Sequence, residues 1–224
     1  MSFILLLLSL VVFVILELVK RSGKKSTMRE KSIPDVQTSL KIVERYYHPG
    51  HSWVVLGSPY EVTIGVDDFA QRVIGHVSDI QLPELWANVQ QGQVYTTLKH
   101  GGKSLPQVAP VSGVIVGINS KLEQNPDLVT ASPFDQGWIV KVAPANLSLE
   151  LRNLLKGVVA ERWEEAVRNQ LVSWFSHPAQ PVLQDGGRIV DGVSDLLSED
   201  GWQRFMEEFF PIALTNRNNN QIKN

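Results

Sequence analysis

No cysteine occurs in this sequence, which excludes a disulfide framework, a thiolate nucleophile and a cysteine-ligated metal site. Net charge is also scarce. Twenty-one Lys and Arg against 23 Asp and Glu leave a formal −2, so no electrostatic excess draws the chain to nucleic acid. Patterns that carry catalysis are missing too. Ser112 has no associated His and Asp pattern that would make it a nucleophile. Gly101-Gly102-Lys103-Ser104 mimics the end of a phosphate loop but lacks the first glycine at the required spacing and a following helix. His48 and His51, at i and i+3, have no neighbouring carboxylate or cysteine in the sequence, so loop and packing roles outweigh a metal site. Asp67-Asp68 reads more simply as a helix cap than as an acid–base pair. The expectation is a protein that is not an enzyme and holds no metal.

Charge is absent from the first sixteen residues as well. From Phe3 to Leu16 the only polar residue is Ser9, and the apolar character continues through Leu18 and Val19 past Glu17. A helix over Phe3–Val19 spans roughly 25 Å at about 1.5 Å per residue, a little short of a ~30 Å hydrocarbon layer. A cleaved signal peptide is the rival reading, and it lacks both a basic residue before the run and an Ala-x-Ala-like site after it. Lys20, Arg21, Lys24, Lys25, Arg29 and Lys31 all follow the run. The positive-inside rule then predicts a single-pass anchor over 1–21, bound to the membrane through residues 3–19, with the N-terminus outside and the rest cytoplasmic. Residues 22–39 are polar, carry Pro34 and read as a linker.

From Leu40 the pattern changes to short strands and turns. Lys41–Tyr46, Ser52–Leu56, Tyr60–Val66 and Val77–Leu82 read as strands, separated by His48-Pro49-Gly50 and Gly57-Ser58-Pro59. Asp67 or Asp68 caps a short helix whose Phe69, Ala70, Val73 and Ile74 face inward and which Gly75 ends. Val94–Leu98 and Gln107–Val111 then form a hairpin around a tip, Lys99–Ser104, and Val114–Ile118 is a further strand. Leu147–Leu155 is a closing helix with Asn146 or Ser148 as cap. Val158–Phe175 is a longer amphipathic helix, broken by His177-Pro178-Ala179-Gln180-Pro181. Val190–Leu197 and Gly201–Phe210, the second capped by Ser198 or Asp200, complete a helical extension over 157–214 before an Asn-rich disordered tail at 215–224.

Several stretches, taken in order, resemble the glycine cleavage system H-protein family. They are His51-Ser52-Trp53-Val54, Ile64–Gln71, Gly75, Gln81-Leu82-Pro83-Glu84, Gly92, Ala109–Gly113, Val116–Asn119, Leu122, Asn125–Val129 and Gly137–Val142. The resemblance covers about residues 45–156 with nearly family-like spacing. It implies a mainly β fold with flanking α-helices over 40–156: two small antiparallel sheets in a lipoyl-domain-like barrel-sandwich hybrid. The family positions in and after the hairpin are Gly101, Gly102, Ala109, Pro110, Ser112 and Gly113.

The resemblance also implies a lipoyl group on a hairpin lysine seven residues before the Ala of Ala-Pro-Val-Ser-Gly. Counting back from Ala109 lands on Gly102; Lys103 is one residue late and Lys99 three early. The tip, Lys-His-Gly-Gly-Lys, is basic where the family is acidic. Two function classes follow. One is a membrane-tethered, non-catalytic module without a lipoyl arm and with no cofactor, acting as an interaction or scaffold subunit for a protein partner that the sequence does not name. The alternative is a lipoyl carrier of a glycine cleavage or related lipoamide or sulfur-transfer system, modified at Lys103.

Overall fold

A computed structural model describes Glu17, residues 44–176 and residues 191–214. The expected span at 3–19 (Glu17 apart), the linker, the break at His177–Pro181 and the tail lie outside these residues. Among the described residues no helix is long and apolar enough to cross a membrane.

The chain is mainly β, with two antiparallel sheets and several helices. Strands β1 (Arg45–His48), β2 (Ser52–Ser58) and β3 (Glu61–Val66) form a meander, and helix α1 (Asp68–Ile74) follows. Asp67 caps α1 by accepting from the Ala70 N–H at 2.9 Å, and Phe69, Ala70, Val73 and Ile74 are buried as their spacing predicts. Next come β4 (Asp79–Gln81), β5 (Asn88–Val89), β6 (Val94–His100), β7 (Lys103–Val108) and β8 (Gly113–Ile118). Two short helices, α2 (Lys121–Gln124) and α3 (Leu128–Ala131), precede β9 (Val140–Pro144). One sheet runs β1-β2-β3-β9-β8-β5 and the other β4-β6-β7. Between them Val54, Val62, Ile64, Leu98, Leu105, Val108, Ile115 and Val142 are fully buried, each from a strand that offers one apolar face.

The closing helix is shorter than the sequence suggests. Helix α4 (Leu147–Glu150) gives way to a 3-10 turn at Leu151–Asn153, and Asn146 makes no side-chain cap bond. The reason is register: Leu155 leaves the helix to exchange two 2.8 Å backbone hydrogen bonds with Tyr47 on β1. Helix α5 (Gly157–Phe175) matches the amphipathic reading and buries Ala160, Val167, Leu171 and Phe175. After α5, the described residues of the extension form α6 (Val193–Leu196), α7 (Glu199–Phe209) and a last helical turn over 211–214; α7 starts two residues earlier than expected because Ser198 accepts from the Gly201 N–H.

These helices pack on the β core through aromatics. Phe205 stacks on Phe209 at 4.5 Å and meets Trp174 of α5 at 5.3 Å, while Phe209 reaches Phe69 of α1 at 5.6 Å and Phe210 reaches His51 at 4.8 Å. Each buried aromatic contributes on the order of 2–3 kcal/mol to that packing.

Candidate functional site: the two ends of the hairpin

The hairpin is longer and its tip tighter than the sequence reading. Strands β6 and β7 stay paired up to His100 opposite Lys103, so the loop is only Gly101-Gly102. Both glycines have left-handed φ, 53° and 82°, the pattern of a two-residue turn whose twist matches its strands. Lys99 and Lys103 are therefore strand residues, and the strand ends at Val108 instead of Val111. Gly102 stands at the apex in open space: a Cβ there would meet nothing within 4 Å.

The amines near the apex are engaged. Lys99 Nζ bonds Asp79 Oδ2 at 2.9 Å across β4 and β6, and this bond holds the Asp79 carboxyl below its ordinary range. Lys103 is half-buried; its Nζ donates to the carbonyl of Ser194 within the one-turn α6 and, at 2.6 Å, to that of Leu197, the residue that caps its C-terminus. His100 Nε2 lies 2.9 Å from Asp195 Oδ1. Ser194 and Asp195 sit more than ninety residues along the chain from their hairpin partners. No local pattern announces that pairing, and sequence reasoning missed it.

The other end of the hairpin is crowded. Ala109 and Pro110 are buried, and the Ala109 N–H donates to the Gln93 carbonyl at 2.8 Å. The Ser112 N–H donates to Glu150 Oε2 at 2.7 Å, and Ser112 Oγ accepts from the Gln91 N–H at 2.9 Å. Gly113 leaves no room for a side chain, since a Cβ would lie 2.1 Å from the Ala143 carbonyl oxygen. These positions fix the crossing from the smaller sheet to the larger one. Ser112 thus joins Gln91 to Glu150 through its hydroxyl and its backbone N–H.

His48 and His51 stand in the same region. Ser52, next in the chain, ties β2 to the hairpin by donating from Oγ to the Val108 carbonyl at 2.7 Å. His48 Nδ1 accepts from the Gly50 N–H at 2.9 Å, which requires an unprotonated nitrogen. Burial, aided by the charge of His51, pushes its pKa down to about 4. His51 is not without a carboxylate, as the sequence reading held: Asp67 Oδ2 lies 2.8 Å from its Nδ1, with both side chains buried. A separation of sixteen positions in the sequence hid the pair. Phe69, Trp163 and Phe210 surround the imidazole at 4.6–5.1 Å, which packs the dyad among aromatic rings. Among the described residues no group of three His, Asp or Glu is placed to hold a metal ion.

Comparison with known proteins points to one family. The family profile described as glycine cleavage H-protein matches residues 45–168. A glycine cleavage system H protein of Hydrogenovibrio crunogenus is 37% identical over 112 residues, covering 50% of this chain and 86% of the relative. The proteins of that description from Psychromonas ingrahamii and a Geobacillus species are 36% and 34% identical, with 83% and 94% of their lengths covered. A crystal structure of a glycine cleavage system H protein from Mycobacterium marinum superposes with a TM-score of 0.46 at 23% identity, over 55% of this chain and 95% of that one.

Proposed function

Since the chain belongs to the glycine cleavage H-protein family, we propose that it works as a non-catalytic component that docks its β core onto a protein partner. The observation that carries this reading is the hairpin: a fixed base, two paired strands and a bare apex facing solvent. Such an element presents a group or a surface to another protein and offers no chemistry of its own.

Two forms of that role differ in the arm. The relatives are named glycine cleavage system H proteins, and this favours the carrier form with lipoyl on Lys103. The apex supports the arm-free form. Gly102 supplies no amine where the family pattern places one, and the Lys103 amine is already bonded to two carbonyls. In this arrangement the residues do not fit the group.

Coexpression with a lipoate ligase and lipoate, followed by intact and peptide mass spectrometry, separates the forms. An adduct lost in Lys103→Arg establishes the carrier, and an unmodified chain establishes the arm-free module. The shared proposal has its own test in a glycine cleavage assay built from purified components. The chain should either replace the lipoylated H protein or compete with it, and failure at both would overturn the docking role.

Membrane tethering through residues 3–19, with the domain cytoplasmic, is proposed on the apolar run and the basic cluster after it. Protease added to intact cells should spare the domain; digestion from outside would reverse the topology.

A further inference from the structure

The apex glycines are bare, but the side chains that flank them, His100 and Lys103, are covered by the chain's own extension. Three sets of contacts converge there. Lys103 Nζ donates to the Ser194 and Leu197 carbonyls, which as carbonyls of the one-turn α6 and its C-cap have few partners within the helix. His100 meets Asp195, and the Asp195 carboxylate is also the nearest atom to the position a Cβ would take on Gly101, at 3.9 Å. Behind the hairpin, Ser194 Oγ donates to the Ile74 carbonyl at 2.8 Å and the Gly192 N–H to the Arg72 carbonyl at 2.8 Å, both at the end of α1. The approach is so close that a Cβ on Gly75 would lie 2.7 Å from Gly192 Cα.

We infer that residues 191–197 are a cover held in cis over the hairpin end, and that it must lift before any partner or attaching enzyme can reach the Lys103 amine. This goes beyond the docking role and holds for either form of it. The cover is built to come away without the rest. The pair that ties it to α1 is solvent-exposed: Arg72 to Asp191 at 3.1 Å joins side chains 40% and 75% exposed, and pairs of that kind contribute little. Its apolar hold is Val193 and Leu197. By contrast, α7 next to it buries Trp202, Phe205, Met206 and Phe209 and stays seated when α6 opens. Local opening of this kind lies at the low end of a protein's range of opening free energies.

Linkage supplies a test that needs no partner. In the full chain, a brief pulse of an amine-acetylating reagent read by peptide mass spectrometry should modify Lys103 about tenfold or more slowly than exposed Lys121. Val193→Asp should bring Lys103 to the rate of Lys121 while amide exchange in β2, β3 and β9 stays slow. In the opposite direction, Lys103→Met should speed amide exchange over 193–197 without changing α7. Equal acetylation of Lys103 and Lys121 in the unaltered chain overturns the cover, and that measurement depends on no variant. Slow exchange over 193–197 in Lys103→Met overturns the part given to the amine. Neither readout uses lipoate, so the absence of a lipoyl adduct leaves this inference standing, and its failure leaves the docking role standing.

Discussion

The two ends of one hairpin obey different constraints. At the base, Gly113 is wedged against the Ala143 carbonyl, and the segment from Ala109 is pinned by a hydrogen bond from the Gln91 N–H and by others that it donates to the Gln93 carbonyl and the Glu150 carboxylate. At the apex, Gly102 has nothing within 4 Å of the place where a side chain would begin. Sequence change at the base breaks the fold, whereas change at the apex alters only what the hairpin presents. A family match that rests on base residues therefore reports the fold and is silent about the arm.

The sharpest way to break the comparison is Gly113→Ala. The added carbon meets backbone that the β8–β9 pairing of Gly113 with Pro144 prevents from moving. We expect a loss of upwards of about 3 kcal/mol, read as a shift of the urea midpoint, or failure to fold. An alanine tolerated there with under about 1 kcal/mol lost would show that the base is not sterically fixed.

His48 adds a pH dependence to the base. Its folded pKa, about 4, lies below the ordinary 6.5, so between those values the unfolded chain binds the extra proton. Stability is thus fully present above 6.5 and falls as the pH drops towards 4. The slope amounts to about 3 kcal/mol at most, at about 1.4 kcal/mol per pKa unit. Urea midpoints measured across that range should fall with acid in the native chain and flatten in His48→Gln. A native chain equally stable at both ends would show that His48 is not buried neutral.

How much of this was legible in sequence depends on how far apart the partners lie. The Asp67 cap, the run from Gly157 to Phe175 and the Ser198 cap are set by residues within a few positions of one another, and all appear where local reasoning puts them. The tip was misjudged because Lys, His and Ser carry no strand signal, while two successive glycines at positive φ allow pairing to run right up to them. The clasp on Lys103 and the pairing of His51 with Asp67 depend on chain closure, which no local window contains.

Gln107, on β7 near the base, is a smaller test of the same crowding. Its side chain is fully buried, and neither Oε1 nor Nε2 has a hydrogen-bond partner. An unmet amide in an apolar interior costs about 1–3 kcal/mol, so Gln107→Met, close in shape, should stabilise by about 1–2 kcal/mol. Thermal unfolding that shows a loss would mean the amide is satisfied in solution, most simply by a buried water.

The smallest effect on stability, and the one that most sharpens the contrast, belongs to Gly102→Lys. The apex has space for any side chain, so the only penalty is the left-handed φ of 82°, about 1 kcal/mol for a residue with a Cβ. The substitution also places an amine at the position, seven residues before Ala109, where the resemblance to the family puts the attachment lysine. An attaching enzyme must bring an ε-amine to an activated acyl group, and a misplacement of about 1 Å can cost on the order of a hundredfold in rate. Moving the amine back by one residue shifts its root by about 3.3 Å and takes it off the strand that points Lys103 at α6. With a lipoate ligase and lipoate supplied, the introduced amine should acquire lipoyl to a much higher extent than Lys103 does in the native chain, with the urea midpoint lowered only slightly. If the variant stays folded and remains unmodified, the departure from the family is not confined to the apex residue. The basic side chains of Lys99 and His100 would then be the next to exchange, since they set a positive tip against an enzyme that the family pattern meets with acid.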